Sequence, residues 1–372
     1  MRAAVLEAPN ADLRIEEIPI PEPRAGEVLV KVAGCGVCHT DLHVIKEEVA
    51  FPTPCVLGHE ISGTVAALGP GVDGPSPGTS VVSSFIMPCG SCRHCNRGRD
   101  DLCERFFAMN RLRGTLYDGE TRLRRKDGTP LWMYSMAGLA EYAVVPATDV
   151  FELPAGLPLV ESAIVGCAMF TAYGAVRHGA DLHIGDRVAV VAVGGVGSNL
   201  IQVCRAFGAS RIIAVDVRPD KLEAATQLGA TDVIDASSAD AVQRLRDLTG
   251  GEGVDVAFEA LGRPQTFTQA FEMVKDGGQM VAVGIAPGTT TANVEITRLV
   301  RREISLSGSY GARTRADMPA ILQLAAQGFF RPERVVTGTV PLEEADAVYK
   351  RLNRGEVVGR VVVSMNQTSG AA

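Results

Sequence analysis

From about residue 170 the chain alternates strand-like and helix-like runs at a short, regular rhythm, a pattern few folds accept. Residues 187–193, 211–217, 254–259 and 279–285 read as strands. Residues 196–207, 220–228 and 266–274 read as helices. Such alternation packs as a parallel sheet with helices on both faces. The first 160 residues differ: glycine, proline and β-branched residues dominate, and strands are expected at 28–32 and 61–65. Residues 111–133 are charged and glycine-bearing, which predicts a surface excursion. Residues 334–365 return to short β-like runs expected to rejoin the first domain, and the tail 366–372 is expected to be disordered. A chain of 372 residues is long for one domain, so two are expected.

The first strand–helix junction of the alternating part reads Ala192-Val193-Gly194-Gly195-Val196-Gly197. It matches the dinucleotide fingerprint G-x-G-x-x-G except that alanine holds the first position. Gly194 lets backbone approach a pyrophosphate at the helix N-terminus, and Gly197 allows close helix–strand packing. A glycine-rich turn is often only a turn; here a strand precedes it and a helix follows. Asp216 ends the next strand. A carboxylate there accepts hydrogen bonds from ribose hydroxyls and repels a 2′-phosphate, so NAD is expected. Arg218 opposes this, because arginine pairs with phosphate. The structural alternative for Asp216 is a helix cap.

Cys89, Cys92, Cys95 and Cys103 follow the spacing C-x2-C-x2-C-x7-C. Four thiolates this close can wrap one zinc tetrahedrally without closing a long loop. An iron–sulfur cluster is a competing reading of C-x2-C-x2-C, but its fourth cysteine usually comes sooner and precedes proline, whereas Glu104 follows here. Disulfides are the third reading, and neighbours so tightly spaced bridge poorly.

A second group is dispersed. Cys38 lies in Cys38-His39-Thr40-Asp41, His59 and Glu60 in Gly58-His59-Glu60, and Cys167 in Val165-Gly166-Cys167-Ala168. Cysteine and histidine suit zinc, and three protein ligands leave a position open for chemistry. Taken singly, each of these residues is a weak signal, since a lone Cys or His is far more often a structural packing residue than a ligand.

Composition narrows the partners. A net charge of −7 argues against nucleic acid or an anionic membrane. The most apolar stretch, 188–203, is broken by glycines and polar residues and makes a poor membrane span. No secretory signal is expected, since Glu7 interrupts the N-terminus before an apolar core forms. Nine cysteines without such a signal fit metal ligation in a reducing cytoplasm.

Together these motifs resemble the zinc-dependent alcohol dehydrogenases of the medium-chain dehydrogenase/reductase superfamily. Gly58-His59-Glu60-Ile61-Ser62-Gly63, with Gly69 beyond, is similar to that family's zinc signature, and the likeness covers nearly the whole chain. The resemblance implies a GroES-like, mainly β catalytic domain at 1–168 and 311–372, carrying a structural-zinc lobe at about 88–104. A Rossmann cofactor domain at 169–310 completes the α/β fold. It implies two zinc ions per chain. Cys38, His59 and Cys167 would hold the catalytic ion, with Glu60 able to enter the shell and Asp41 orienting His59. Cys89, Cys92, Cys95 and Cys103 would hold the structural ion. Thr40 would bond the substrate oxygen, and His43 would continue a proton relay through the ribose to solvent. His39 and Arg360 would contact the cofactor pyrophosphate, Lys221 the adenosine ribose, and Ile285 the nicotinamide. Gly195 and Val196 belong to the same cofactor turn, and Phe85 would line the substrate pocket.

The expected reaction is NAD-linked oxidation of a small-molecule alcohol to an aldehyde or ketone by a cytoplasmic homodimer, a tetramer being the alternative. Oxidation of a glutathione or mycothiol adduct is a second reading. A zinc-free quinone or enoyl reductase would need none of Cys38, His59 and Cys167. A non-catalytic NAD-binding scaffold would need no Thr40 and His43.

Overall fold

The protein is described from a computed structural model, which defines residues 1–238 and 240–365; the tail 366–372 lies outside the described residues. The chain forms two compact units: Met1–Phe170 with the chain from Arg313, and Thr171–Ala312.

The second unit holds six parallel strands in the order Asp232–Asp235, Arg211–Asp216, Arg187–Val191, Val254–Glu259, Val274–Ala282 and Ser305–Gly308. Counted along the chain this is 3-2-1-4-5-6, the doubly wound order. The central strands are apolar over most of their length because helices cover both faces. Val191, Ile213, Val215, Ala257 and Met280 pack with Leu245, Ala270 and Phe271 from helices in one buried core. Several elements escaped the periodicity reading, the helix Ile296–Arg301 and the strand Ser305–Gly308 among them. Asp232–Asp235 is too short and polar to stand out. The helix Ala241–Leu248 is marked by its cap, where Asp240 accepts from the Val242 and Gln243 N–H groups. The expected strand at 279–285 begins earlier, at Val274.

The first unit is mainly β. One sheet runs Phe151–Glu152, Ser80–Ser83, Ile61–Leu68, Glu27–Gly36, Arg360–Ser364 and Val336–Pro341, with Tyr142–Pro146 also pairing on Glu27–Gly36. A second runs Leu13–Glu17, Arg2–Leu6, Cys55–Val56, Pro130–Met133 and Leu123–Arg124. The expected surface excursion at 111–133 is therefore corrected: its second half is a hairpin built into this sheet. Its charges misled, because Arg122 folds inward with a side chain only 3% exposed. There it makes two bonds to Glu27, at 2.9 and 2.5 Å, and one to Asp118 at 2.8 Å. The C-terminal segment does rejoin this unit, but it also contributes the helix Ala345–Asn353.

Candidate active site

Adjacent strand ends converge on one point. Cys38 follows Glu27–Gly36, whereas His59 and Glu60 precede Ile61–Leu68. These strands are antiparallel, with Cys35 opposite Ile61. The Gly36 N–H donates to the Glu60 carbonyl at 2.8 Å, and the Val37 N–H to the Val361 carbonyl at 2.9 Å. Register thus assembles Cys38, His59, Glu60 and Arg360. Cys167 arrives from the 3-10 turn Glu161–Gly166, pinned where the Phe85 N–H donates to the Gly166 carbonyl at 2.9 Å. Gly58 delivers His59 with φ of +97°, and a Cβ there would lie 2.6 Å from the Leu139 nitrogen and 2.7 Å from Cys35 Sγ. No other residue fits that backbone.

One donor atom each from Cys38, His59, Glu60 and Cys167 lies within 4.8 Å of the others, and all four residues are buried. His59 Nδ1 meets Asp41 Oδ1 at 3.0 Å. Its Nε2 is buried without a hydrogen-bond partner, as is Glu60 Oε2. Such an orphan costs roughly 1–3 kcal/mol. Two sulfurs, an unpartnered imidazole nitrogen and a carboxylate oxygen form a donor set that fits zinc and relieves that cost. A hydrogen bond from Cys167 holds the Cys38 thiol well below the ordinary range, while the Cys167 thiol is pushed up. One thiolate is therefore already favoured. Burial pushes Glu60 up to about 7 against the pull of Arg360.

The surroundings orient these donors. Asp41 accepts from the Gly58 N–H at 3.0 Å and from the Tyr349 hydroxyl at 2.9 Å. Tyr349 escaped the sequence reading because it lies 308 positions away with no local signal. The Thr40 hydroxyl is 3.5 Å from Cys38 Sγ. His43, on the same short helix His39–Ile45, pairs through Nδ1 with Glu48. Phe85 is buried edge-to-face against His59, with centroids 6.2 Å apart, and against Phe170 at 5.8 Å. His39 is exposed. Arg360 is buried against Glu60 and donates to the Val37 carbonyl at 3.0 Å.

The four-cysteine group also closes. The sulfurs of Cys89, Cys92, Cys95 and Cys103 lie within 4.8 Å of one another. Cys89 and Cys95 are 4.0 Å apart, far beyond a disulfide, and all nine cysteines are free. Backbone N–H groups already point at sulfur: Cys89 to Cys103 at 3.2 Å and Cys92 to Cys89 at 3.4 Å. Arg315 clamps the lobe, bonding the Cys95 carbonyl at 2.7 Å and both oxygens of Asp100. Four thiols and no other donor suit a closed structural ion.

In the second unit Gly194 caps the helix Gly195–Ala206, which takes Gly195, Val196 and Gly197 into its first turn. Nothing stands within 4 Å of a Cβ built on Gly194, so backbone approach is open there. A Cβ on Gly197 would collide with the Ala192 carbonyl. Ala192 itself is held at φ of +74°, where the fingerprint's glycine would sit without strain. Asp216 is buried and accepts from the Val193 N–H at 2.7 Å and the Arg218 N–H at 3.0 Å. The Arg218 guanidinium is tied to Asp220. Lys221 is half-buried and Ile285 exposed.

Comparison with known proteins follows the same division. Residues 24–155 match the family described as alcohol dehydrogenase GroES-like domain, and 195–327 that described as zinc-binding dehydrogenase. The probable S-(hydroxymethyl)glutathione dehydrogenase 1 of Schizosaccharomyces pombe is 34% identical over 98% of this chain and 97% of its own. The NDMA-dependent alcohol dehydrogenase of Amycolatopsis methanolica is 34% identical over 97% and 98%. Among solved structures, an alcohol dehydrogenase zinc-binding domain protein from Burkholderia ambifaria superposes with a TM-score of 0.92. It is 34% identical, covering 98% of this chain and 99% of that one.

Proposed function

The chain belongs to the zinc-dependent alcohol dehydrogenases of the medium-chain dehydrogenase/reductase superfamily, and we propose that it oxidises a small alcohol reversibly with NAD and two zinc ions per chain. The observation that carries this reading is the buried cluster of Cys38, His59, Glu60 and Cys167, in which His59 Nε2 has nothing to bond. Cys38, His59 and Cys167 would hold the catalytic ion. Glu60 is an optional fourth ligand, because Arg360 gives its carboxylate a second partner. Cys89, Cys92, Cys95 and Cys103 would hold the structural ion.

When bound, zinc is a Lewis acid that lowers the pKa of an alcohol hydroxyl and polarises a carbonyl. A bound nicotinamide would supply the hydride acceptor. The chain supplies position and proton transfer. Asp41 fixes the His59 ring, and Tyr349 fixes Asp41. The Thr40 hydroxyl accepts the substrate proton, and His43 takes it onward. Phe85 and Phe170 present an apolar wall that excludes water beside His59. Gly194 to Gly197 receive the pyrophosphate, and Asp216 binds the ribose. His39, Lys221, Ile285 and Arg360 are the further cofactor contacts of this reading.

The edge strand Ser305–Gly308 shows Leu306, and the helix Ile296–Arg301 shows Ile296 and Val300 to solvent. We assign this face to a second copy of the chain. The free thiols suit a reducing cytoplasm. A thiol-adduct alcohol is the second substrate reading, supported by the name of the S. pombe relative. The test is NAD reduction with primary, secondary, aromatic and thiol-adduct alcohols before and after chelation. Metal-dependent turnover of one of these classes supports the reading. Full turnover by metal-free protein overturns it.

A further inference from the structure

His43 has a partner that no part of the dehydrogenase reading uses. After the helix His39–Ile45 the chain reverses at Glu47, held in the left-handed region at φ of +60°. The N–H groups of Glu48 and Val49 both return to the His43 carbonyl, at 2.8 and 3.1 Å. This tight turn folds Glu48 back onto the imidazole, where its Oε2 meets Nδ1. Its other oxygen, Oε1, lies 2.6 Å from Lys46 Nζ. A non-glycine residue in the left-handed region is uncommon, and such strain gathers where a side chain must be aimed.

We propose that Glu48 is a positioning residue for the proton path, fixing the tautomer of His43 and receiving its outgoing proton; this rests on the alcohol-dehydrogenase reading. An ionised carboxylate only accepts hydrogen bonds, so Nδ1 must carry the hydrogen and Nε2 presents its lone pair. The bond to Lys46, then that to His43, keep the Glu48 carboxyl below its usual range, so it is ionised at neutral pH. A proton arriving at Nε2 makes an imidazolium stabilised by the facing carboxylate. The Nδ1 proton then passes to Glu48 and on to bulk water, and exchange with solvent restores the starting tautomer. The His43 and Glu48 side chains are 22% and 26% exposed, which gives the path its exit.

The charged groups bearing on His43 are Glu48 and, through it, Lys46. The helix Ala345–Asn353 packs on this segment, but its titratable groups are engaged elsewhere. Lys350 pairs with Asp346 and Asp12, Tyr349 bonds Asp41, and Arg351 acts on Glu356.

The test compares the zinc- and NAD-loaded parent with Glu48→Gln, His43→Gln and the double variant. Glu48→Gln is expected to lower kcat about tenfold at neutral pH, less than the roughly 10²–10⁴-fold of a full acid–base group. The double variant should be no slower than His43→Gln alone. NMR of the labelled histidine rings should show the Nδ1–H tautomer of His43 in the parent and a mixture of tautomers in Glu48→Gln, whose amide can donate as well as accept. An unchanged His43 tautomer in Glu48→Gln, or a full Glu48→Gln loss persisting in the His43→Gln background, overturns the proposal. Alcohol oxidation by the parent with these results absent would sink Glu48 alone. A parent that oxidises no alcohol would sink the dehydrogenase reading and this role together.

Discussion

Tyr349 donates its hydroxyl to Asp41 at 2.9 Å, and the other oxygen of that carboxylate holds His59. Three buried residues from distant parts of the chain thereby set the direction of one imidazole nitrogen. Tyr349→Phe removes one bond and leaves a buried carboxylate oxygen without it. Outer-shell losses of this kind weaken metal binding or activity roughly 10–100-fold. We expect zinc affinity to fall within that range while the cysteine lobe keeps its ion. Competition with a chelator measures both, and parent-like zinc retention would show that Tyr349 does not support the ligand.

On the proposed reading, Asp216 would set the cofactor preference. Its carboxylate is fixed by two backbone N–H groups, while the Arg218 guanidinium is tied to Asp220. The repulsive charge is thus rigid and the attractive one engaged. NAD should be preferred, and Asp216→Gly should narrow or invert the preference. Paired kcat/KM values for NAD and NADP decide this; equal efficiency in the parent contradicts it.

The proposed proton path has Thr40 and His43 acting in series. Thr40→Ala should cost about 10²–10⁴-fold in kcat with zinc in place. His43→Gln should cost less, because buffer or water can replace it, and its loss should shrink at high pH where hydroxide accepts the proton. Parent-rate turnover by Thr40→Ala would require another proton route.

Ala192 stands at φ of +74°, a conformation costing an L residue about 1–2 kcal/mol. Glycine relieves that strain but adds about 0.4–1 kcal/mol of unfolded-state entropy. Ala192→Gly should therefore gain up to about 1.6 kcal/mol in denaturant unfolding. A clear loss of stability would show that the methyl group packs favourably there.

Local spacing carried much of this protein. The alternation after residue 170 was enough for a doubly wound sheet, and the spacing of Cys89, Cys92, Cys95 and Cys103 was enough to group them. What stayed hidden is non-local or compensated. Arg360 meets Glu60 across 300 positions, and no periodicity reports that. Arg122 looked like surface charge because its partner Glu27 lies 95 positions away. Glu48 carries no signal in the sequence; the turn at Glu47 is what folds it onto His43.

The central claim is two zinc sites with unequal roles, and elemental analysis of parent and Cys38→Ser beside their turnover tests it most directly. We expect two zinc ions per active parent chain. Cys38→Ser should lose one ion and its turnover while remaining folded, whereas Cys95→Ser should chiefly lower stability. A fully active, folded parent holding a single zinc, or a Cys38→Ser variant turning over alcohol at the parent rate, would contradict the account.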